Sequence, residues 1–182
     1  LAKSGVKPEE IAGIGNTGHG NGVYLLDKQG CPLRNGIQSM DSRAADIVTE
    51  WNGRNLHAQV FPFTTQSFCP AQPKALLVWL KKNEPQNYER LGAILMVKDY
   101  IKYRLTGEVT GDYTDMSATS LMDVRNQCYS RELMALYDLA EAYDALPPLK
   151  RSSEICGQVT PAAAAETGLA IGTPVVGGLF DV

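Results

Sequence analysis

Thr173-Pro174-Val175-Val176-Gly177-Gly178-Leu179-Phe180-Asp181-Val182 carries the first evidence of architecture. Pro174 opens an apolar, β-branched run, two glycines follow, and a single carboxylate arrives where the run ends. Short runs of this kind read as buried parallel strands, and α/β proteins bind ligands outside the carboxyl ends of such strands. Gly177 and Gly178 remove side chains where a backbone or ligand must come close. Asp181 is then an acid at a strand end beside a crevice, a position suited to general-base work. The competing reading is an Asp that caps the next turn or helix.

Working back from that stretch, Thr160 reads as an N-cap, Pro161 as the first helical residue and Gly168 as the helix stop. Ile155 to Val159 precedes them, giving a β–α–β order. The other end of the chain carries more strands. Ile11 to Gly15 reads as a short strand that enters Asn16-Thr17-Gly18-His19-Gly20-Asn21-Gly22, a polar, glycine-dense loop. Val23 to Asp27 is a second strand, and Asp27-Lys28-Gln29-Gly30 is a hairpin turn. A third strand, around Pro32 to Met40, closes a β-meander and delivers Asp41-Ser42-Arg43. A helix follows from about Arg43 to Gly53, burying Ala44, Ile47, Val48 and Trp51.

From about Phe61 to Arg151 the chain reads as mostly helical, with helices at Lys74 to Asn83, Pro85 to Leu91, Val97 to Leu105 and after Ser130. Gly111 to Ser120 reads as an ordered structural loop. The expected organisation is an α/β sheet core at about 8–60 and 152–182, interrupted by a helical insertion at about 61–151. Both ends are expected to continue into a longer protein, because the chain opens in a polar, helix-end-like segment and stops at an apolar strand.

Composition excludes several classes. Of 182 residues, 44% are hydrophobic and 20% charged, as in an ordinary globular domain. A formal charge of −3 with no basic run gives no footprint for nucleic acid. No apolar stretch is long enough to span a bilayer. Cys31, Cys69, Cys128 and Cys156 are scattered without C-x-x-C spacing, which reads as reduced thiols of a cytoplasmic protein and not as a disulfide frame or zinc site. The glycine-rich loop lacks the P-loop order and leads into a strand, so helix-dipole phosphate binding does not apply. Its glycines let the backbone approach a polar ligand, with His19 as a hydrogen-bonding group; the alternative is a plain connection with His19 in solvent.

Several ordered motifs together resemble one family. Ile14-Gly15-Asn16-Thr17-Gly18-His19-Gly20, Leu25-Leu26-Asp27 and Asp41-Ser42-Arg43 are similar to the first domain of the FGGY carbohydrate kinases. Lys98-Asp99-Tyr100 with Arg104-Leu105-Thr106-Gly107 resembles that family's K-D-Y/W…R-L-T-G segment, and Asp112-Tyr113-Thr114-Asp115-Met116-Ser117 its D-Y-[ST]-[DN]-x-[SG] loop. Thr167-Gly168-Leu169, Gly172-Thr173-Pro174-Val175 and Asp181 resemble its T-G-L…G-T-P-V…D ending. The Gly-Gly-Leu-Phe-Asp-Val ending is similar to the branch that phosphorylates L-xylulose and related ketoses or sugar acids. The resemblance implies an actin-like, ribonuclease-H-like ATPase fold, of which this is most of domain one. It implies ATP and Mg²⁺ as cofactors, Asp181 as catalytic base, and a sugar site at Thr17, Gly18, His19, Gly20 and Asp41, the last supported by Arg43. The Asp-x-Gly phosphate-binding turn is expected upstream of Leu1 and the adenine-binding domain downstream of Val182. Thr17-Gly18 stands where pentulose kinases carry a Gln-Met pair, and the Arg-Glu of glycerol kinases is missing, so the sugar stays open. The expected partners are a small-molecule sugar and a second copy of the chain, in a homodimer. A non-catalytic sugar sensor or scaffold on the same fold is the alternative, and a nucleotide-dependent dehydrogenase ranks last for want of G-x-G-x-x-G between strand and helix.

Overall fold

The computed structural model describes residues 3–181. After a 3₁₀ turn at Pro8–Glu10 come β1 (Thr17–Gly18), β2 (Tyr24–Asp27), α1 (Ala45–Gly53), α2 (Leu56–Thr64), α3 (Pro73–Asn83) and α4 (Pro85–Glu89). Next are β3 (Leu91–Leu95), α5 (Val97–Thr106), β4 (Gly111–Asp112), α6 (Tyr113–Ala118), β5 (Met122–Asp123), β6 (Cys128–Tyr129) and α7 (Arg131–Leu136). A 3₁₀ helix at Ala140–Ala145 leads to β7 (Leu149–Lys150), β8 (Ile155–Gln158), α8 (Pro161–Thr167), β9 (Pro174–Val176) and β10 (Leu179–Phe180).

The last segment lies between two others, as its apolar composition requires. On one side β9 pairs antiparallel with β8, Gln158 opposite Pro174. On the other, Ile14 bridges Val175 in parallel, its N–H donating to Pro174 O at 2.9 Å while Val176 N–H donates back to Ile14 O at 2.9 Å. Further along, β10 runs parallel to β1, with Thr17 opposite Leu179 and Gly18 opposite Phe180. Val175 is fully buried.

Local signals account for several helix ends. Thr160 accepts from Ala163 N–H at 3.2 Å and Ser130 from Leu133 N–H at 3.1 Å, the two N-caps read from sequence. Gly107 and Gly168 close α5 and α8 in left-handed conformation. The main apolar core joins Trp51 of α1, Leu76, Leu77 and Leu80 of α3, and Leu133 and Met134 of α7. Trp51 packs against Phe68 and Tyr137 with ring centroids 5.2 and 5.1 Å apart.

Four expectations change. Ile11 to Gly15 makes one bridge, at Ile14, and no strand ladder, whereas Thr17 and Gly18, read as loop, form a strand. The meander's third strand reduces to two isolated bridges, Val23–Ile37 and Leu26–Pro32, because Pro32 has no N–H to give and Asn35-Gly36 interrupts the run. Gly111 to Ser120 contains β4 and α6, with Asp112 as the N-cap, and is not a loop. Within 61–151 the chain also forms β3, which returns to pair antiparallel with β2, Tyr24 opposite Leu95.

A second core is charged. Lys98 and Lys102 of α5 lie beside Asp99, Asp112 and Asp115, and all five side chains are fully buried. Lys98 Nζ sits 2.5 Å from Asp112 Oδ1, 2.8 Å from Asp99 Oδ1 and 3.6 Å from Asp115 Oδ2. Lys102 Nζ donates to Asp99 Oδ1 at 2.9 Å and to Gly177 O at 3.4 Å, tying the cluster to the link between β9 and β10. Burial works against charge on Lys98, but Asp99, Asp112 and Asp115 outweigh it and raise its pKa. Burial alone would raise the pKa of Asp112; the bonds from Lys98 and Thr114 outweigh it and hold it low. Asp115 is different. Neither of its oxygens accepts a hydrogen bond. Burial, reinforced by its two carboxylate neighbours, lifts its pKa to about 7 against the pull of Lys98. With the proton on Asp115, two cations face two anions, and the cluster is neutral.

This sets a pH dependence. A carboxyl whose pKa is higher folded than unfolded contributes stability that is full below about pH 4 and is lost as pH rises through about 7. Asp115→Asn mimics the protonated form at every pH. In thermal melts of the full-length protein, the Tm of Asp115→Asn relative to wild type should therefore rise between pH 5 and pH 8 by at least about 2–4 °C. A difference that falls over that window would mean that Asp115 is an ionised partner of Lys98.

Candidate functional site

The parallel ladder of β1 and β10 builds the site. One residue beyond the paired ends, His19 and Asp181 leave the same end of the ladder, the carboxyl end where α/β folds place ligands. Asp181 is exposed, and its carboxylate has no hydrogen-bond or ion-pair partner among the described residues. His19 is half-buried. Its Nδ1 lies 3.1 Å from Gly20 O and its Nε2 3.3 Å from Tyr24 Oη. Nδ1 can only donate to a carbonyl, which leaves Nε2 to accept from the tyrosine hydroxyl. A ligand group that bonds to a His19 ring nitrogen thus replaces one of these contacts.

Glycines make the close approaches possible. Any side chain at Gly20 would run into the Phe180 ring, so Gly20 is what lets the His19 turn lie on β10. Gly178 has φ +79°, and a Cβ there would meet the Asn16 carbonyl. Thr17 is exposed on the rim and Gly18 packs on Val97 and Lys98 of α5. Asn16 Nδ2 donates to Lys98 O at 2.6 Å, and its Oδ1 is buried without a partner. A cleft of about 450 Å³ runs along this ladder, lined by Gly15, Asn16, Thr17, Ser152, Gly178 and Leu179 among others.

Asp41 belongs to a neighbouring concavity of about 330 Å³ between Gly36 and Arg43. Its Oδ1 accepts from Arg43 N–H at 2.9 Å and Nε at 2.8 Å, and its Oδ2 from Nη2 at 2.9 Å. The Arg43 bond, against a smaller effect of burial, holds the Asp41 pKa low, so the carboxylate stays an acceptor. The guanidinium rests 4.8 Å from the Trp79 ring centroid, which fixes the pair. The Val23–Ile37 backbone exchange, at 2.9 Å in both directions, fastens this segment to the His19 side.

A larger cavity of about 590 Å³ lies elsewhere, near Lys28, Lys81, Tyr88 and Glu141, and none of the candidate residues lines it. Three of its polar groups bond one another, Lys81 Nζ at 2.6 Å from Glu141 Oε1 and Tyr88 Oη donating to the same oxygen at 3.0 Å. Size alone does not make it the site.

Sequence reading missed the support behind β10. Phe180 N–H donates to Thr114 Oγ1 at 3.0 Å, Thr114 Oγ1 donates to Asp112 Oδ2 at 2.6 Å, and Ser152 Oγ donates to the same carboxylate oxygen at 3.2 Å. The signal available was Asp112-Tyr113-Thr114 itself, whose Asp and Thr favour caps; nothing in it pointed to a strand 66 residues away.

Among the described residues no group of three or more His, Cys, Asp or Glu could hold a metal ion, and no helix is long and apolar enough to cross a membrane. All four cysteines are free thiols.

Comparison with known proteins places these features. The model of the FGGY family of carbohydrate kinases, N-terminal domain, matches residues 1–182. A probable L-xylulose kinase of Pasteurella multocida and the L-xylulose/3-keto-L-gulonate kinase of Escherichia coli K12 are each 42% identical over 182 residues, all of this chain. The match takes in 38% and 36% of those two proteins, so the chain spans little more than a third of their length. The crystal structure of xylulose kinase from Rhodospirillum rubrum is 32% identical, covers 93% of this chain and 35% of its own, and superposes with a TM-score of 0.85. The fold is the mixed α/β, actin-like ATPase fold of those kinases. The chain belongs to the FGGY family of carbohydrate kinases, and it corresponds to the family's N-terminal domain.

Proposed function

We propose that the whole protein transfers a phosphoryl group from ATP to a hydroxyl of a small carbohydrate, a ketopentose such as L-xylulose or a related sugar acid or polyol. The observation that carries the reading is the shared exit of His19 and Asp181 from the β1–β10 ladder, with the Asp181 carboxylate unpartnered. The 42% identity to proteins named for L-xylulose supports the substrate class. We assign residues 1–182 to most of the sugar-binding domain, with sheet core at about 8–60 and 152–182 and insertion at about 61–151; the phosphate-binding turn and adenine-binding domain belong to sequence outside this range.

Asp181 takes the proton from the sugar hydroxyl as that oxygen attacks the γ-phosphorus. The bond from the γ-phosphorus to the β–γ bridging oxygen breaks, and ADP leaves with its electron pair. His19, Thr17 and the backbone at Gly18 and Gly20 hold the sugar by directed hydrogen bonds. The Asp41–Arg43 pair supplies a fixed acceptor on the adjoining wall. An unpaired buried polar group costs about 1–3 kcal/mol, so a few such bonds suffice to reject a wrong epimer. Mg²⁺ neutralises phosphate charge in reactions of this kind. The described residues offer it no ligand set, and the work assigned to this chain is binding, orientation and proton transfer.

In the full-length protein Asp181→Asn keeps shape but cannot take the proton. Steady-state kinetics should show kcat lower by at least about a hundredfold with sugar affinity close to wild type. Retention of more than about a tenth of wild-type kcat, with chemistry rate-limiting, would move the base elsewhere. Complete absence of ADP release with any sugar from the wild-type protein would favour the sensor reading. His19→Ala should raise KM for sugar about 5- to 150-fold, equivalent to about 1–3 kcal/mol, with KM for ATP nearly unchanged. Equal effects on both substrates would show that the turn had collapsed.

A further inference from the structure

We propose that Thr114 is a positioning residue for Asp181, acting through the backbone of Phe180. The inference rests on Asp181 being the base. In a strand, successive N–H groups point to opposite edges. Leu179 N–H is spent on the β1 side, donating to Asn16 O at 3.1 Å. Phe180 N–H faces the other edge, and the group that meets it is the Thr114 hydroxyl at 3.0 Å. A side chain thus does the work of a neighbouring strand at the last residue before Asp181.

The direction of each bond is fixed. Phe180 N–H can only donate, so Thr114 Oγ1 accepts there and its single proton goes to Asp112 Oδ2 at 2.6 Å. Asp112 is itself held by Lys98, whose ammonium lies 2.5 Å from Oδ1, and by Ser152 at 3.2 Å. Asp112 is fully buried and caps α6, so it cannot follow a shift of β10. The chain from Lys98 through Asp112 and Thr114 to the Phe180 amide therefore anchors the residue before Asp181 to the charged core. Both edges of β10 are pinned, and the peptide that launches the Asp181 side chain has one orientation. A misplacement of about 1 Å at a reacting group can cost a hundredfold in rate, which is the leverage this anchor has.

The test compares Thr114→Val, which keeps the shape and loses the hydroxyl, with Thr114→Ser, which keeps the hydroxyl, in the full-length protein. Thr114→Val should lower kcat about 10- to 100-fold with KM for sugar within about threefold, and Thr114→Ser should restore kcat to within about threefold of wild type. Adding Thr114→Val to Asp181→Asn should lower kcat no further, since there is no base left to position. A near-wild-type kcat in Thr114→Val, while Asp181→Asn is inactive, overturns the inference and leaves the base in place. High activity in Asp181→Asn instead overturns the reading it rests on. If Thr114→Val does not fold, Thr114→Ala removes the same hydroxyl without demanding space. Loss of folding in both, with Thr114→Ser folded, makes the hydroxyl a requirement of the fold and also overturns the inference.

Discussion

Five ionisable side chains buried together must balance among themselves, and the arrangement of Lys98, Lys102, Asp99, Asp112 and Asp115 is the constraint around which this domain closes. Removing one member of such a cluster strands its partner, at a cost of about 3–5 kcal/mol, whereas replacing the whole by apolar side chains need cost nothing. Stability alone does not explain it. Three of its members also hold a piece of backbone or side chain near the candidate site: Lys102 the carbonyl of Gly177, Asp112 the Thr114 hydroxyl, and the Lys98 backbone the Asn16 amide. The cluster is the fastening between α5, α6 and the two parallel segments that end at His19 and Asp181.

That fastening explains why the site can be built from short elements. Two strands of two residues each would not hold a register alone. They hold it because Gly18 and Gly20 let α5 and the Phe180 ring come into contact with the turn, and because the outer edge of β10 is bonded to Thr114. A catalytic carboxylate benefits from standing at the end of such a segment, open to substrate while the residue before it is fixed on both sides. Asp41, by contrast, is held locally by Arg43 and Trp79, independent of the cluster.

Much of this was legible in the sequence, for reasons that differ by element. The helix read at Lys74 to Asn83 declared itself by its amphipathic spacing and forms from Pro73, and α8 showed in Thr160, Pro161 and Gly168. The strand at Val175 showed in its β-branched run. Other features were hidden. Pro62 lies inside α2, and a proline in a helical pattern argues against the helix it occupies. Leu91 to Leu95 is a continuous apolar run next to helices, which periodicity cannot separate from helix; its pairing with β2, where Gly92 lies against the Asp27 backbone, is set by the fold. Lys98 stands in a helical pattern, and its carboxylate partners Asp112 and Asp115 arrive only through the fold. His19 stood out among glycines and Asp181 as the one carboxylate after an apolar run, but their common exit from one ladder is a fact of register.

The central claim is that the charged cluster holds the segment that presents Asp181. Native-state amide hydrogen exchange on the full-length protein tests it in Asp112→Ala, which removes at once the partner of Lys98 and the acceptor of Thr114. The account predicts that protection of the Phe180 and Leu179 amides falls by at least about tenfold more than protection of Leu76 to Leu80 in α3, whose bonds do not involve the cluster. Unchanged exchange at Phe180, or an equal loss in α3 and β10, would contradict it.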